Sequence, residues 1–405
     1  MNEIEKQLTV IRHGVTEIIP EEELRDKLKR SVSRNQPLRI KYGIDPTAPE
    51  LHLGHSVPIR KLRDFQDLGH RVIFLVGDFT ALIGDPTGRT ETRPMLSPEE
   101  IKKNLKTYQE QAGKILDLNR TEFVFNSTWL SNLKMAEVIK LTSSFTAAQM
   151  LERKDFRQRY QEGLSPSLQE FIYPLMQGYD SVALKSDVEI GATEQKFNLL
   201  AGRTVQEAFG MEKQVVITVP ILEGTDGVRK MSKTYGNYIP ITAQPGEMFG
   251  KLMSIPDNLM EKYFRCLTSL PEEEIKKILS GHPKEAKERL ALEVTSFYHG
   301  TDSGRTAQNE FDCIFSQKKA PDQSTVTLMY SSPIKMSELI HTLAVNAESH
   351  IEKYISKGEW KRLLKQGAID VDGKPITDGD YKINPPGDHV IKVGKRYFLK
   401  LIHKK

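Results

Sequence analysis

Cysteine is nearly missing from this 405-residue chain: only Cys266 and Cys313 occur, with no spacing motif between them. Two such residues build neither a disulfide framework nor a zinc cluster, and they fit a reducing compartment. Also missing is any run near the roughly 18 uninterrupted apolar residues of a membrane helix. The opening MNEIEKQLTVIRHG mixes charged and apolar residues where a secretory leader would carry an apolar core. No internal repeat or low-complexity tract is evident. These absences lead us to expect a soluble cytoplasmic chain with no permanently bound, protein-ligated metal. They also make the sequon Asn126-Ser127-Thr128 incidental.

What is present describes an ordinary globular protein, 38% apolar and 28% charged. The length exceeds one domain, so two or three are expected. The net charge of +4 is unevenly placed. Residues 335–405 hold 14 Lys+Arg against 9 Asp+Glu, while the rest of the chain holds 44 against 45. All the positive excess therefore sits at one end. A compact basic module invites a polyanionic partner, although a solvated, slightly basic domain has the same composition.

Residues 1–36 read as a charged helix followed by a turn. Strand-like and helix-like stretches then alternate. Strands are expected at 38–44, 71–76, 121–125 and 214–219 from their apolar, β-branched runs. Helices are expected at 54–68, from Pro98 behind its Ser97 cap, at 168–179 and at 194–201. This alternation predicts an α/β fold, a Rossmann-like doubly wound parallel sheet with ligands beyond the carboxyl ends of its strands. From about residue 246 the pattern turns helical. Residues 318–334 read as a proline-punctuated linker, and short helices and strands with Gly-Asp and Asp-Gly turns close the chain.

The densest signal is GIDPTAPELHLGH, Gly43 to His55, between a predicted strand and a predicted helix. His52 and His55 at a helix start can donate hydrogen bonds toward one anion, and Gly54 removes a side chain that would keep a ligand from the backbone. The helix dipole and free N–H groups favour phosphate there. Two surface histidines, or half of a metal site, would show the same spacing, but no His or Cys cluster supplies the remaining ligands. Downstream, Lys230-Met231-Ser232-Lys233 follows a Gly-Thr-Asp-Gly turn. Two lysines three apart on a loop suit a triphosphate gripped as pyrophosphate leaves. Alone, the same pattern serves a solvated face.

Between these motifs, Gly84 to Arg93 (GDPTGRTETR) lacks the spacing of a P-loop and reads instead as a flexible clamp. Arg89 and Arg93 would fold over the pyrophosphate, or else lie in solvent. On the expected helix after residue 168, Tyr173, Gln177 and Asp180 fall at i, i+4 and i+7, aligning a phenol, an amide and a carboxylate on one face. That face either lines a polar pocket or meets water.

The pair HLGH and KMSK on an α/β scaffold resembles the signature of class I aminoacyl-tRNA synthetases. The stretch YPLMQGYDSVALKSDVEIGATEQKFNLLAGR narrows the resemblance to the bacterial tyrosyl-tRNA synthetases. It implies a ligase that activates tyrosine with ATP and transfers it to tRNA(Tyr), with Mg²⁺ accompanying the nucleotide. By position, His52 and His55 would stabilise the phosphates and Lys230 and Lys233 the leaving pyrophosphate, with Arg89 and Arg93 assisting. Asp45, Thr47, Gly54 and Glu194 would serve ATP. Asp85, Tyr173 and Gln177 would hold the substrate ammonium group, Asp180 would accept from its phenol, and Gln195 would line the same pocket. Close relatives are homodimers, so the same is expected here.

Two departures stand out. Gly191-Ala192-Thr193-Glu194-Gln195 replaces the usual GGTDQ, giving the ribose-facing carboxylate one more methylene. Lys41 stands where the better-known branch has a second phenol-binding tyrosine. The tail around Trp360 resembles an S4-type RNA-binding module, with Lys357, Lys361, Arg362 and Lys365 as one stripe of phosphate contacts. The expected domains are therefore a catalytic 1–245, a helical tRNA-binding 246–325 and a small α+β module at 335–405. The rivals are a tryptophan-specific ligase, a tRNA-independent adenylyltransferase and a catalytically silent RNA-binding paralogue. Asp180 argues against the first, the basic tail against the second, and intact His52, His55, Lys230 and Lys233 against the third.

Overall fold

A parallel sheet covered on both faces needs strands that are mostly apolar, and β3 beyond its exposed Arg71 and β6 apart from Thr218 meet that requirement. The strands are β1 (Glu17–Ile19), β2 (Arg39–Ile44), β3 (Arg71–Val76), β4 (Thr121–Phe125), β5 (Val188–Ala192) and β6 (Val215–Val219). They form one sheet in the order β1-β6-β5-β2-β3-β4. Every neighbouring pair is parallel except β1, which runs antiparallel along the β6 edge. The computed structural model describes residues 2–47, 49–87, 98–315, 326–339, 357–394 and 397–403. It divides the chain into two compact units, residues 1–304 and 305–405.

Chain order runs outward from β2 in both directions, through β3 and β4 on one side and β5 and β6 on the other. The switch point between β2 and β5 is where such a sheet opens a crevice for ligands. Helix Leu53–Asp67 follows β2, Leu168–Ala183 precedes β5, and Lys196–Ala208 links β5 to β6. The last two pack against each other, and a side chain at Gly178 would press on Val205. The four expected strands and their helices are present within a residue or two, except that the 168 helix runs on to Ala183 and the 196 helix to Ala208.

The N-terminal expectation is corrected. Residues 1–36 hold two helices, Glu3–Arg12 and Glu21–Arg34, with β1 between them. Helices Pro245–Met253, Met260–Leu267, Glu272–Leu279 and Pro283–His299 belong to the same compact unit as the sheet, and Met260–Leu267 packs on helix Leu53–Asp67.

In the second unit the supposed linker contributes β7 (Val326–Tyr330) and β8 (Ile334–Lys335). The pairing along β7 satisfies a backbone that a linker would leave to water. The remaining strands are β9 (Ile369–Val371), β10 (Lys374–Ile376), β11 (Lys382–Ile383), β12 (His389–Val393) and β13 (Tyr397–His403). They make a sheet β10-β9-β12-β13-β7 and a ribbon β11-β8, with β7 parallel to β13. Trp360, on helix Lys357–Lys365, lies buried with Leu364, Ile369, Val393 and Leu399, and donates its Nε1–H to Met336 O at 3.1 Å. Of the short helices expected near the chain end, the one over residues 347–355 lies outside the described residues.

Candidate active site

The chain leaves β2 at Ile44 and re-enters helical structure at Leu53, with His52 as N-cap. Leu53 N–H donates to Ile239 O at 2.9 Å, and His52 bridges Pro240, so this loop is fixed to a distant segment. The His52 and His55 rings stack, with centroids 3.7 Å apart and planes at 24°. His52 N–H donates to His55 Nδ1 at 3.3 Å, which assigns the His55 ring proton to Nε2.

Burial lowers the pKa of both rings, to about 2 for His52 and about 4 for His55. The lesser causes are His55 and Lys233 for His52, and Lys233 and Lys230 for His55. Both are therefore neutral at physiological pH, able to donate hydrogen bonds but not to act as cations. Gly54 is a close approach: a Cβ would stand 3.0 Å from the His52 ring. Its N–H reaches Met231 Sδ at 3.3 Å, tying the helix start to the downstream lysine segment.

That segment is pinned from behind. Met231 is buried and its N–H donates to Leu222 O at 2.8 Å. The buried Asn237 amide donates to Arg229 O and Lys230 O, and its Oδ1 accepts from Ser232 N–H at 2.8 Å. Lys230 Nζ lies 3.0 Å from Glu194 Oε2, and Lys233 Nζ 3.3 Å from Glu50 Oε2. His52, Gly54, His55, Lys230, Met231 and Ser232 line one cavity of about 320 Å³. The two motifs, 175 residues apart between His55 and Lys230, thus meet at one space. Lys233 is set back from the lining, where its charge still acts on both imidazoles.

Asp45, Thr47, Asp85, Tyr173, Gln177, Asp180, Glu194 and Gln195 line the same cavity. Tyr173 donates its hydroxyl to Asp45 Oδ2 at 2.9 Å, and Thr80 donates to Asp45 Oδ1 at 2.7 Å. Gly77 makes room for this, since any side chain there would collide with Asp45 Oδ1 and Thr80 Oγ1. Burial, then Asp45, drives the Tyr173 phenol pKa well above its usual value, so it stays protonated. Asp180 is buried and accepts from Trp129 Nε1 at 2.7 Å and Asn126 Nδ2 at 3.2 Å. Burial pushes its carboxyl up to about 7 against the opposing pull of Lys41, Trp129 and Asn126.

Asp85 is held by several donors: Thr87 N–H at 3.0 Å, Thr87 Oγ1 at 2.6 Å and Gln195 Nε2 at 2.6 Å. Behind them the buried Arg153 donates to Asn198 Oδ1 at 2.9 Å and to Thr87 Oγ1 at 3.2 Å.

Every site residue expected in the ATP and tyrosine sets is thus brought to one cavity or its edge, apart from Arg89 and Arg93, which lie outside the described residues. In the second unit Lys361, Arg362 and Lys365 are exposed on one short helix. Lys357 opens that helix, and its side chain is outside the described set. Sequence reasoning missed Glu189, Asn126, Trp129, Arg153, Asn198 and Thr80. Glu189 and Asn198 lie inside the Tyr173–Arg203 stretch that carries the resemblance, with no role read for them there, and the other four sit in no motif. Asn126 even belonged to the sequon set aside as incidental, and it is fully buried beside Asp180.

Over residues 33–316 the chain matches the family described as tRNA synthetases class I (W and Y). It is 50% identical over 412 aligned positions to a tyrosine–tRNA ligase of Carboxydothermus hydrogenoformans, covering 100% of both chains. With the tyrosine–tRNA ligase of Thermotoga maritima it shares 49% identity over 403 positions, 98% of this chain and 97% of that one. Among solved structures, a C-terminally truncated mitochondrial tyrosyl-tRNA synthetase of Aspergillus nidulans matches with a TM-score of 0.63 at 25% identity. That match spans 77% of this chain and 93% of the other. A tyrosyl-tRNA synthetase of Archaeoglobus fulgidus, complexed with L-tyrosine, shares the fold at a TM-score of 0.59 and 23% identity, over 75% of this chain and 99% of that one.

Proposed function

The chain belongs to the tyrosine–tRNA ligases of class I, and from that membership we propose how its side chains divide the work. The enzyme joins tyrosine to ATP with loss of pyrophosphate, then passes the tyrosyl group to the 3′ end of tRNA(Tyr). In the first step a tyrosine carboxylate oxygen attacks the α-phosphorus and the bond to the bridging oxygen of pyrophosphate breaks. No covalent protein nucleophile is needed, so positioning and charge stabilisation carry the rate.

ATP lies over the start of helix Leu53–Asp67. There the positive end of the helix dipole, the close approach that Gly54 allows and the neutral donors His52 and His55 meet its phosphates. Lys230 and Lys233 exchange Glu194 and Glu50 for the departing pyrophosphate, with Arg89 and Arg93 assisting. Mg²⁺ enters as part of the nucleotide substrate and shares that charge. Asp45, Thr47 and Glu194 support the ribose and strand-end side. Asp85, Tyr173 and Gln177 bind the tyrosine ammonium group. The Tyr173 hydroxyl, having donated to Asp45, keeps its lone pairs for that ammonium. Asp180 accepts from the substrate phenol and Gln195 lines the pocket. Facing phenylalanine, this buried carboxylate would lose the phenol donor and keep only Trp129 and Asn126, so selection needs no editing step.

The single observation behind this division is that both signature segments line one cavity continuous with Tyr173, Gln177 and Asp180. We propose further that residues 1–245 hold this site, that 246–325 face the anticodon arm and that 335–405 grip RNA as an S4-like module. A second copy of the chain covers the apolar side chains of residues 135–168, where Met135 is 73% and Leu168 81% exposed, with Ile139, Tyr160 and Leu164 between them. Exposure of this kind within one stretch marks an interface. Charging of total tRNA tests the specificity: tyrosine should be accepted and phenylalanine and tryptophan refused. Charging with tryptophan would overturn the pocket assignment.

A further inference from the structure

Lys41 and Glu189 face each other across β2 and β5 at the switch point, in direct register. Both are buried, 0% and 1% exposed, and Lys41 Nζ lies 2.9 Å from Glu189 Oε1. Both border the cavity beside Asp180. The Lys41 ammonium has three hydrogens and three acceptors: Glu189, Ser181 Oγ at 2.7 Å and Gln177 O at 3.3 Å. Glu189 in turn receives Gln177 Nε2 at 3.1 Å, Ser181 Oγ at 3.2 Å and the Gln214 amide.

The pair is therefore saturated by the protein. Lys41 has no hydrogen left for a substrate phenol, so it does not stand in for the tyrosine that other branches carry at this position. What it can still exert is charge, and its neighbour on helix Leu168–Ala183 is the residue before Ser181, Asp180.

We propose that Lys41 and Glu189 act as a positioning pair that sets the charge of Asp180, and thereby the discrimination of tyrosine from phenylalanine. This rests on Asp180 reading the phenol. A carboxylate deprived of the phenol is costly only while it is ionised; once protonated, it tolerates phenylalanine. Lys41 favours the ionised form and Glu189 disfavours it, with Lys41 the stronger of the two. The other groups acting on Asp180 are the Trp129 and Asn126 donors. Tyr173, Asp45 and Asp85 share the cavity.

The test is ATP–pyrophosphate exchange with tyrosine and with phenylalanine, measured as kcat/KM from pH 5.5 to 9. In the wild type the tyrosine-to-phenylalanine ratio should fall as pH drops through the range where Asp180 takes a proton. Lys41→Met should move that fall upward by about one pH unit and cut the ratio at neutral pH by about tenfold. Glu189→Gln should move it downward. The double variant, which leaves no unpaired charge to upset folding, should fall between Lys41→Met and the wild type.

A purely structural pair would move both single variants in the same direction, or change kcat/KM for both amino acids alike at every pH. Either result overturns the proposal. If the single variants do not fold, a double variant with the wild-type midpoint overturns it and a raised midpoint supports it. Asp180→Asn separates the premise from the inference. A ratio preserved in that variant sinks the phenol reading itself, whereas a collapsed ratio with unmoved midpoints in the pair variants sinks only the role of the pair.

Discussion

Lys230 is paired with Glu194 across the site, its Nζ 3.0 Å from one carboxylate oxygen and 3.3 Å from the other. Glu194 is the residue whose extra methylene departs from the usual aspartate. The pair is partly open to solvent, at 42% and 30% side-chain exposure, and contributes at most about 1 kcal/mol. It is weak enough to exchange for a triphosphate. Lys230→Ala should therefore lower the rate of adenylate formation by about 10²-fold. The melting temperature should shift by no more than about 4 °C. Pyrophosphate exchange and a thermal melt together check this.

The two imidazoles make a prediction about pH. Their pKa values in the folded chain, about 2 and about 4, lie below the ordinary value of 6.5. The unfolded chain therefore binds more protons as pH falls below 6.5. The contribution of the neutral rings is whole above that pH and is lost progressively as pH drops toward 4. At pH 5 the cost is on the order of 2 kcal/mol per ring. Melting curves from pH 7.5 to 5 should show His52→Asn/His55→Asn losing less stability than the wild type. An equal loss in both proteins would contradict the burial of the rings.

The apolar stretch of residues 135–168 predicts assembly. Ile139→Asp and Leu168→Asp replace exposed side chains, so each monomer should fold with little change. Sedimentation at micromolar concentration should show twice the chain mass for the wild type and a shift toward the single mass for the double variant.

The basic helix of the second unit predicts a separation of the two steps. Lys361→Ala/Arg362→Ala/Lys365→Ala should leave pyrophosphate exchange unchanged. The KM for tRNA should rise, and the salt dependence of its binding should flatten by roughly one contact per removed cation. Charging assays at two salt concentrations measure both effects.

Much of the fold could be read in the sequence where a strand is dominated by apolar, β-branched residues, as in β3 and β6. β5, Val188-Glu189-Ile190-Gly191-Ala192, was not read as a strand, although β2, with charges and a glycine of its own, was. The β5 glutamate looks solvated until Lys41 is placed beside it, 148 residues away in the chain. The same separation hid the partners of Asp180: Asn126 and Trp129 come from a segment with no motif, and only packing brings them to the carboxylate. β7 was taken for linker because polar residues and prolines surround it, and its pairing partner β13 lies at the far end of the chain. The signature segments were visible because their chemistry is local, a helix start and a loop. Their meeting in one cavity could only be tested by structure.

The most direct measurement is on Lys233→Ala, with adenylate formation assayed separately from tyrosyl transfer out of preformed tyrosyl-adenylate. If the paired imidazoles and the downstream lysines grip one triphosphate, pyrophosphate exchange should fall by about 10²–10³-fold, while transfer stays within a few-fold of the wild type. Near-normal exchange in this variant would contradict the account.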